Sequence, residues 1–328
     1  MRARGLILKL STMALILFVF ISCSELTEAD GLDAHPAIWK LDNGSAQVYL
    51  IGSIHLLPPE LKWYGGKIKK ILDIADEVVF EVHMTSETQD QARAITVQNG
   101  MLRNGDKLSN YITKDEYDFL KKITPELGIS IETITNFQPW FASIALSVSA
   151  VINEGWDPEA GVDRYIQKIA TLRQLKITDL ETIEVQMEAL YNHPLDVQAN
   201  MLKDTISEFE DIQKLTLEMI DVWSSGNEIR LVDIFLEPMR EQSELYAKII
   251  TSRNKNWVPR LEEFFKKNRY IISGPKILNR IFSFFINKIL NKNNIMFKER
   301  FVPEMNIEQL FFKDPAGNGI ELIFKKNL

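Results

Sequence analysis

Residues 47-QVYLIGSIHLLPPELKWYGGKIKKILDIADEVVFEV-82 change hydrophobic period twice within one stretch. Gln47 to Ile51 is rich in β-formers and stops at Gly52, so it reads as a strand. Its near-continuous apolarity suits an interior strand covered on both faces. Pro58 and Pro59 hold off a helix until Leu61. From there Trp63, Ile68, Ile71, Leu72 and Ala75 recur at helical spacing. Glu77 to Val82 is a second strand. Strand, helix and strand in about 36 residues is the length of a βαβ unit. The spacing therefore predicts two parallel strands joined by a right-handed crossover.

Working outward, the middle of the chain is helical. The pattern predicts helices over 86–99, 113–123, 138–152, 162–173, 182–191, 195–224, 227–236 and 241–267. Thr113 with Glu116 has the form of a capping box, hydroxyl and carboxylate each taking a free amide of the first turn. Phe141 to Ile152 is apolar almost throughout but too short to span a bilayer, so it reads as a core helix. Leu175 to Leu180 is a third strand and delivers Glu181 at its end. The chain changes character near residue 271. Lys276 to Asn294 is basic and apolar, with Leu278, Ile281, Phe282, Phe285 and Ile289 on one helical face. Phe297 to Phe324 reads as two strands around a turn at Asp314 to Gly319. The expected fold is α/β, a parallel or mixed central sheet with many helices, closed by a C-terminal β-hairpin.

The chain has 328 residues and a net charge of −7, which lacks the basic footprint of a nucleic-acid partner. Arg2 and Arg4 followed by the apolar run Met13 to Ile21 have the layout of a secretory signal. Phe20-Ile21-Ser22 before Cys23 resembles a bacterial lipobox, with Phe20 departing from the usual leucine. Acylation at Cys23 would anchor an exported protein to the cell envelope. A signal with an incidental cysteine, or an uncleaved anchor, are the alternatives. The expected divisions are a signal over 1–22, a polar tether over 23–37 and a domain over 38–270. A basic amphipathic junction helix over 271–296 and a tail over 297–328 follow.

The chain has four histidines. His55 falls just past the carboxyl end of the first strand, where ligands and catalytic groups collect in open α/β sheets. Gly52 would let the backbone bend or approach a ligand closely. Glu81 lies in the second strand, and a buried carboxylate there demands a cation, a hydrogen-bond network or an exposed edge. In a regular strand Glu81 and His83 point to the same face. An imidazole and a carboxylate on one edge could hold Zn²⁺, Mn²⁺ or Co²⁺; Glu181 could join them. The plainer reading of His55 is an ordinary hydrogen-bonded histidine. His35, next to a proline, reads as solvated, and His193, before Pro194, as a surface residue.

The segment 38-IWKLDNGSAQVYLIGSIHLLPPELKW-63 closely resembles the opening of the TraB/GumN family, whose animal relatives include the Tiki proteins. The resemblance continues through 77-EVVFEV-82, 161-GVDRYI-166, 180-LETIEVQMEAL-190 and 253-RNKNWVPRLEEF-264. It implies an exported, often lipid-anchored α/β protein and possible metal-dependent hydrolysis of peptide or protein substrates. The divalent ion would be Mn, Co or Zn and would be held by two GxxH motifs. The first matches Gly52 to His55, with Glu81 at the acidic position. Arg164, Glu181 and Arg253 match further polar positions. Three residues after Gly274, where the second histidine belongs, stands Ile277. The chain is therefore either a hydrolase centred on His55 and Glu81, or an impaired member that binds without turnover, or a rearranged gene product. The tail 302-VPEMNIEQLFFKDPAGNGIELIF-324 resembles the closing strands of a vicinal-oxygen-chelate domain, in which the residue matching Glu321 is commonly a metal ligand. A glyoxalase-type lyase is a remote alternative, since no paired module accompanies that fragment.

Overall fold

The computed structural model describes residues 33–42, 46–227, 230–234, 242–264, 268–275, 297–302, 307–313 and 319–325. The signal, Cys23 and the amphipathic stretch from Lys276 lie outside the described residues. A mixed five-stranded sheet is built from β1 (Ile38–Asp42), β2 (Ala46–Ser53), β3 (Glu77–Phe80), β4 (Lys176–Asp179) and β5 (Asn268–Pro275). The spatial order is β1-β2-β5-β3-β4. Only β1 runs antiparallel, against β2; the others are parallel to one another. With the helices around this sheet the fold is α/β.

Alternate residues of the central strands serve opposite faces. Val48, Leu50 and Val79 pack with Trp140, Leu190 and Trp257. Ile51, Val78 and Phe80 pack with Ile68, Leu72, Ile166 and Trp223. All four residues of β3 are buried: Val78, Val79 and Phe80 are the apolar part of an interior strand, and the Glu77 carboxylate is held by Lys176 at 3.1 Å and by the Thr178 hydroxyl. Each of the apolar side chains contributes about 1.5–3 kcal/mol on burial. A one-residue slip would exchange the two faces, so the register is firmly held. A third cluster is purely helical and includes Leu108, Leu120, Ala142, Leu146 and Leu202.

The helices follow the hydrophobic pattern closely. They are α1 (Gly66–Ile74), α2 (Ser86–Asn99), α3 (Lys114–Ile123), α4 (Ile131–Ile134), α5 (Pro139–Asn153), α6 (Val162–Leu172) and α7 (Ile183–Tyr191). Thr113 caps α3 as expected: its hydroxyl accepts from the Glu116 amide at 3.2 Å, and the Glu116 carboxylate accepts from the Thr113 amide at 2.6 Å. α5 buries Trp140, Ala142, Leu146, Ala150 and Val151 and is a core helix. Among the described residues no helix is long and apolar enough to cross a membrane.

Two long helices expected from the pattern are broken. Residues 195–224 divide into α8 (Leu195–Glu208) and α9 (Ile212–Ser224) at a 3₁₀ turn, Phe209–Asp211. After α10, described over 230–234, the next segment divides into α11 (Ser243–Tyr246), a π turn (Ala247–Ser252) and α12 (Arg253–Phe264).

Three further expectations are corrected. β2 and β3 do not pair, because β5 lies between them and pairs with both. The crossover through α1 passes one strand position, and the sheet closes only when the chain returns near residue 268. That strand carries Ile271 to Pro275 into the sheet, past the expected boundary at 270. Pro275 lacks an amide hydrogen and ends the ladder. Finally, the tail is three antiparallel strands, β6 (Phe297–Val302), β7 (Ile307–Lys313) and β8 (Gly319–Lys325), rather than a two-stranded hairpin. They form their own sheet, and β5, not the tail, fills the last place in the central one. Among the described residues no second unit of this kind accompanies the meander that carries Glu321.

Candidate active site

The carboxyl edge of the sheet collects the expected residues by three separate backbone devices. The first is at the end of β2. The Val162 amide donates to the Ile54 carbonyl at 2.9 Å, which docks the start of α6 against the chain just before His55. A Cβ at Gly161 would lie 2.1 Å from the His55 carbonyl oxygen, so only glycine permits that approach. The first turn of α6 then brings Oδ2 of Asp163 to 2.7 Å from Nδ1 of His55. Asp163 thereby sets the ring and leaves Nε2 as the working nitrogen. Burial opposes the imidazolium, but the charge and hydrogen bond of Asp163, with Glu81 beyond, outweigh it and hold the His55 pKa above its ordinary value.

The second device lies past β3 and β4. β3 ends at Phe80, so Glu81 stands one residue beyond the strand and not within it. The pairing nevertheless continues: the Leu180 amide donates to the Phe80 carbonyl at 2.8 Å, and the Glu181 amide to the Glu81 carbonyl at 3.0 Å. Two glutamates separated by a hundred residues thus emerge side by side. Both are buried.

The third device supplies their cation. The π turn ends at Arg253, and π turns recur at functional sites. Nε of Arg253 donates to both oxygens of Glu181, at 2.9 and 3.1 Å. Nη2 donates to Oε2 of Glu81 at 2.6 Å and to Oε1 of Glu181 at 2.5 Å. One helical turn on, Trp257 lies beneath the guanidinium at 5.1 Å and donates Nε1 to Glu181 at 2.9 Å. Gln186 donates to Oε2 of Glu81 at 3.2 Å. Oε1 of Glu81 is buried with no hydrogen-bond partner. Burial pushes the Glu81 carboxyl up to about 7; Arg253 opposes the rise, and Glu181 adds to it.

The remaining expected residues sit elsewhere. His83 does not share a face with Glu81, because the strand has already ended. Its Nδ1 lies 2.6 Å from Asp179, whose other oxygen accepts the His83 amide at 2.7 Å. Arg164 pairs with Glu159 at 2.8 Å and donates to the Met84 carbonyl at 3.1 Å, so it braces the loop after Glu81 instead of joining the cluster. His193 is buried, not superficial, with Nε2 2.9 Å from the Ala189 carbonyl. His35 is exposed, as expected. Asp163 is the residue that sequence reasoning missed. Its signal is present in 161-GVDRYI-166, where an acid stands two places after a glycine in a helix's first turn.

A divalent ion at this site would find two donors, Nε2 of His55 and Oε1 of Glu81. A carboxylate behind a ligating imidazole, as Asp163 stands here, is the usual support for such a ligand. Two donors are still one fewer than the three protein ligands of a catalytic zinc site. Among the described residues no three His, Cys, Asp or Glu side chains form a group that could hold a metal ion. Arg253 already spends its positive charge on both glutamates. The described donor set therefore does not fit a metal.

The Glu81 pKa carries a stability prediction. An unfolded carboxyl loses its proton near 4.5, whereas the folded one keeps it to about 7. Between those values the unfolded state binds fewer protons, so stability falls as pH rises and levels off above 7. His55, also held above its ordinary value, acts in the same direction. Urea denaturation of wild type and Glu81→Gln at pH 5 and pH 8 should show wild type losing roughly 3 kcal/mol more than the variant. Equal losses would mean that Glu81 is an ordinary carboxylate.

The chain is 24% identical over 242 residues to "Uncharacterized protein YbaP" of Escherichia coli (strain K12), covering 73% of this chain and 86% of that protein. The same figures hold for "Uncharacterized protein YbaP" of Shigella flexneri. An "Uncharacterized protein" of Treponema pallidum (strain Nichols) is 21% identical over 202 residues, covering 59% of each chain. No solved structure matches. A family model spans residues 37–272, which takes in His55, Glu81, Asp163, Glu181 and Arg253 and ends inside β5: the chain belongs to the TraB/PrgY/gumN family.

Proposed function

We propose that this protein is an exported hydrolase of peptide or protein substrates, held at the cell envelope by acylated Cys23, with His55 and Glu81 as its acid–base pair. The observation that carries the reading is the contrast between those two groups. His55 is oriented through Nδ1 by Asp163 at 2.7 Å. Glu81, buried, titrates near neutrality. Groups tuned in this way, placed at the carboxyl edge of a sheet, are what proton transfer at neutral pH requires. Nε2 of His55 takes a proton from water as that water attacks the carbonyl carbon. Protonated Glu81 gives its proton through Oε1 to the departing amine as the C–N bond breaks. Arg253 and Trp257 fix the carboxylates without touching substrate.

A second reading, binding without turnover, is supported by the second GxxH position. Gly274 lies directly opposite Gly52 in the sheet, and the residue three places on is Ile277. Fluorescein-labelled casein incubated with the purified full chain separates the two. Hydrolysis should fall 10²- to 10⁴-fold in His55→Ala. In Asp163→Asn the pH profile should move to lower pH as the imidazole loses its partner. Wild-type turnover no faster than that of His55→Ala would leave the binding reading standing. A stoichiometric divalent ion lost in His55→Ala would replace the acid–base pair with a metal centre. Palmitate labelling that survives Cys23→Ser would remove the anchor.

A further inference from the structure

A concavity of about 720 Å³ opens between the edge strand β1 and helix α1. Its construction is amphipathic by register. Lys67, Lys70, Ile71 and Ile74 recur at the three- and four-residue spacing of one helix face, and all line it. Across from them, Ile38 and Lys40 are alternate residues of β1 and share a face of the strand. Tyr49 of β2 stands directly opposite Lys40 as its register partner, and the Lys40 ammonium lies 5.7 Å from the centre of its ring. Trp63 is buried in the floor, whereas Ile74 is 41% exposed.

The charge here is opposite to that of the whole molecule. The net charge is −7, yet 62-KWYGGKIKKIL-72 holds four lysines and no carboxylate. Lys67 and Lys70 are exposed, and no carboxylate pairs with either among the described residues. An apolar cleft rimmed by the exposed ammonium groups of Lys67 and Lys70 matches one chemistry, a hydrocarbon chain carrying an anionic head. The route of the chain points to the source. Ala34, His35 and Pro36 form one end of the cleft. Cys23 lies ten residues before Asp33. Ten residues reach at most about 35 Å, so an acylated Cys23 holds this end of the cleft within that distance of the bilayer.

We infer that this cleft docks on the membrane by taking an acidic phospholipid. Lys40, Lys67 and Lys70 meet its phosphate, and Ile38, Ile71 and Ile74 meet the start of its acyl chains. The orientation argument rests on the Cys23 reading, so the test removes that anchor. Full-length protein carrying Cys23→Ser is sedimented with vesicles of phosphatidylcholine alone, or of phosphatidylcholine and phosphatidylglycerol in equal parts. The N-terminal apolar run contributes to both, so the readout is the acidic-to-neutral binding ratio. Lys67→Gln with Lys70→Gln should lower that ratio roughly thirty-fold, from two lysines near an acidic surface. Lys122→Gln with Lys214→Gln, exposed residues far along the chain, removes the same charge and should leave the ratio nearly unchanged. Equal loss in both pairs would make the effect one of net charge and overturn the site. Release by inorganic phosphate at matched ionic strength would overturn it in favour of a free phosphate. Because the anchor is absent throughout, failure here and failure of acylation are told apart.

Discussion

Arg253→Leu is expected to lower the unfolding free energy by about 3–5 kcal/mol, because it leaves two buried carboxylates without their cation. Arg253 is 2% exposed, and its planar fork bonds Glu81 and Glu181 together. Arg253→Lys should recover only part of the loss, since one ammonium cannot reproduce the forked contacts. The loss should be smaller at pH 5 than at pH 8, because Glu81 is then protonated and needs no counter-charge. Adding Glu181→Gln to Arg253→Leu should restore stability in part. Urea denaturation of the four proteins reads all of this. A loss below about 1 kcal/mol for Arg253→Leu would place the arginine on the surface side of the ledger, with ordinary exposed ion pairs.

Gly161→Ala should cost roughly 3 kcal/mol, at the upper end of overpacking changes. The atom in the way is the His55 carbonyl oxygen, 2.1 Å from the new methyl group, and a backbone oxygen cannot rotate aside. Relief requires α6 to move from β2. That breaks the bond from the Val162 amide to Ile54 and draws Asp163 away from His55. The variant should therefore lose casein hydrolysis as well as thermal stability. Gly52→Ala is the control: a Cβ there meets nothing within 4 Å, so stability should change by less than about 1 kcal/mol. Activity lost in Gly52→Ala without loss of stability would assign that open space to substrate. Equal melting temperatures for the two variants would show that the α6 contact is not what places His55.

Much of the local structure is legible in the residues. The apolar run of β2, the helical spacing in α1 and the capping box at Thr113 are each written within a dozen neighbours. Each forms for reasons those neighbours contain. His55 at the sheet edge follows from the same reading, because a strand that stops at a glycine delivers whatever comes next to its carboxyl end. Glu81 stands out for a physical reason also visible in the sequence, a carboxylate bounded by apolar residues.

The order of the sheet is not of this kind. Any of β2, β3 and β5 could pair with either of the others, since their hydrophobic patterns are alike. Only the complete chain determines that β5 enters between the other two. The 3₁₀ turn at Phe209–Asp211 and the π turn at Ala247–Ser252 contain no proline or glycine that would mark them in the sequence. The site shows the same division. Residue types could nominate His55, Glu81, Glu181 and Arg253, but not say that Arg253 would bridge two glutamates from β-strand ends, one of them 172 residues away. Nor could they choose Asp163 over Arg164, since adjacent helical positions differ by about a hundred degrees in direction. Local propensity named the elements and their chemistry. Which groups meet depended on long-range burial, where a charge keeps its place only if the fold brings it a partner.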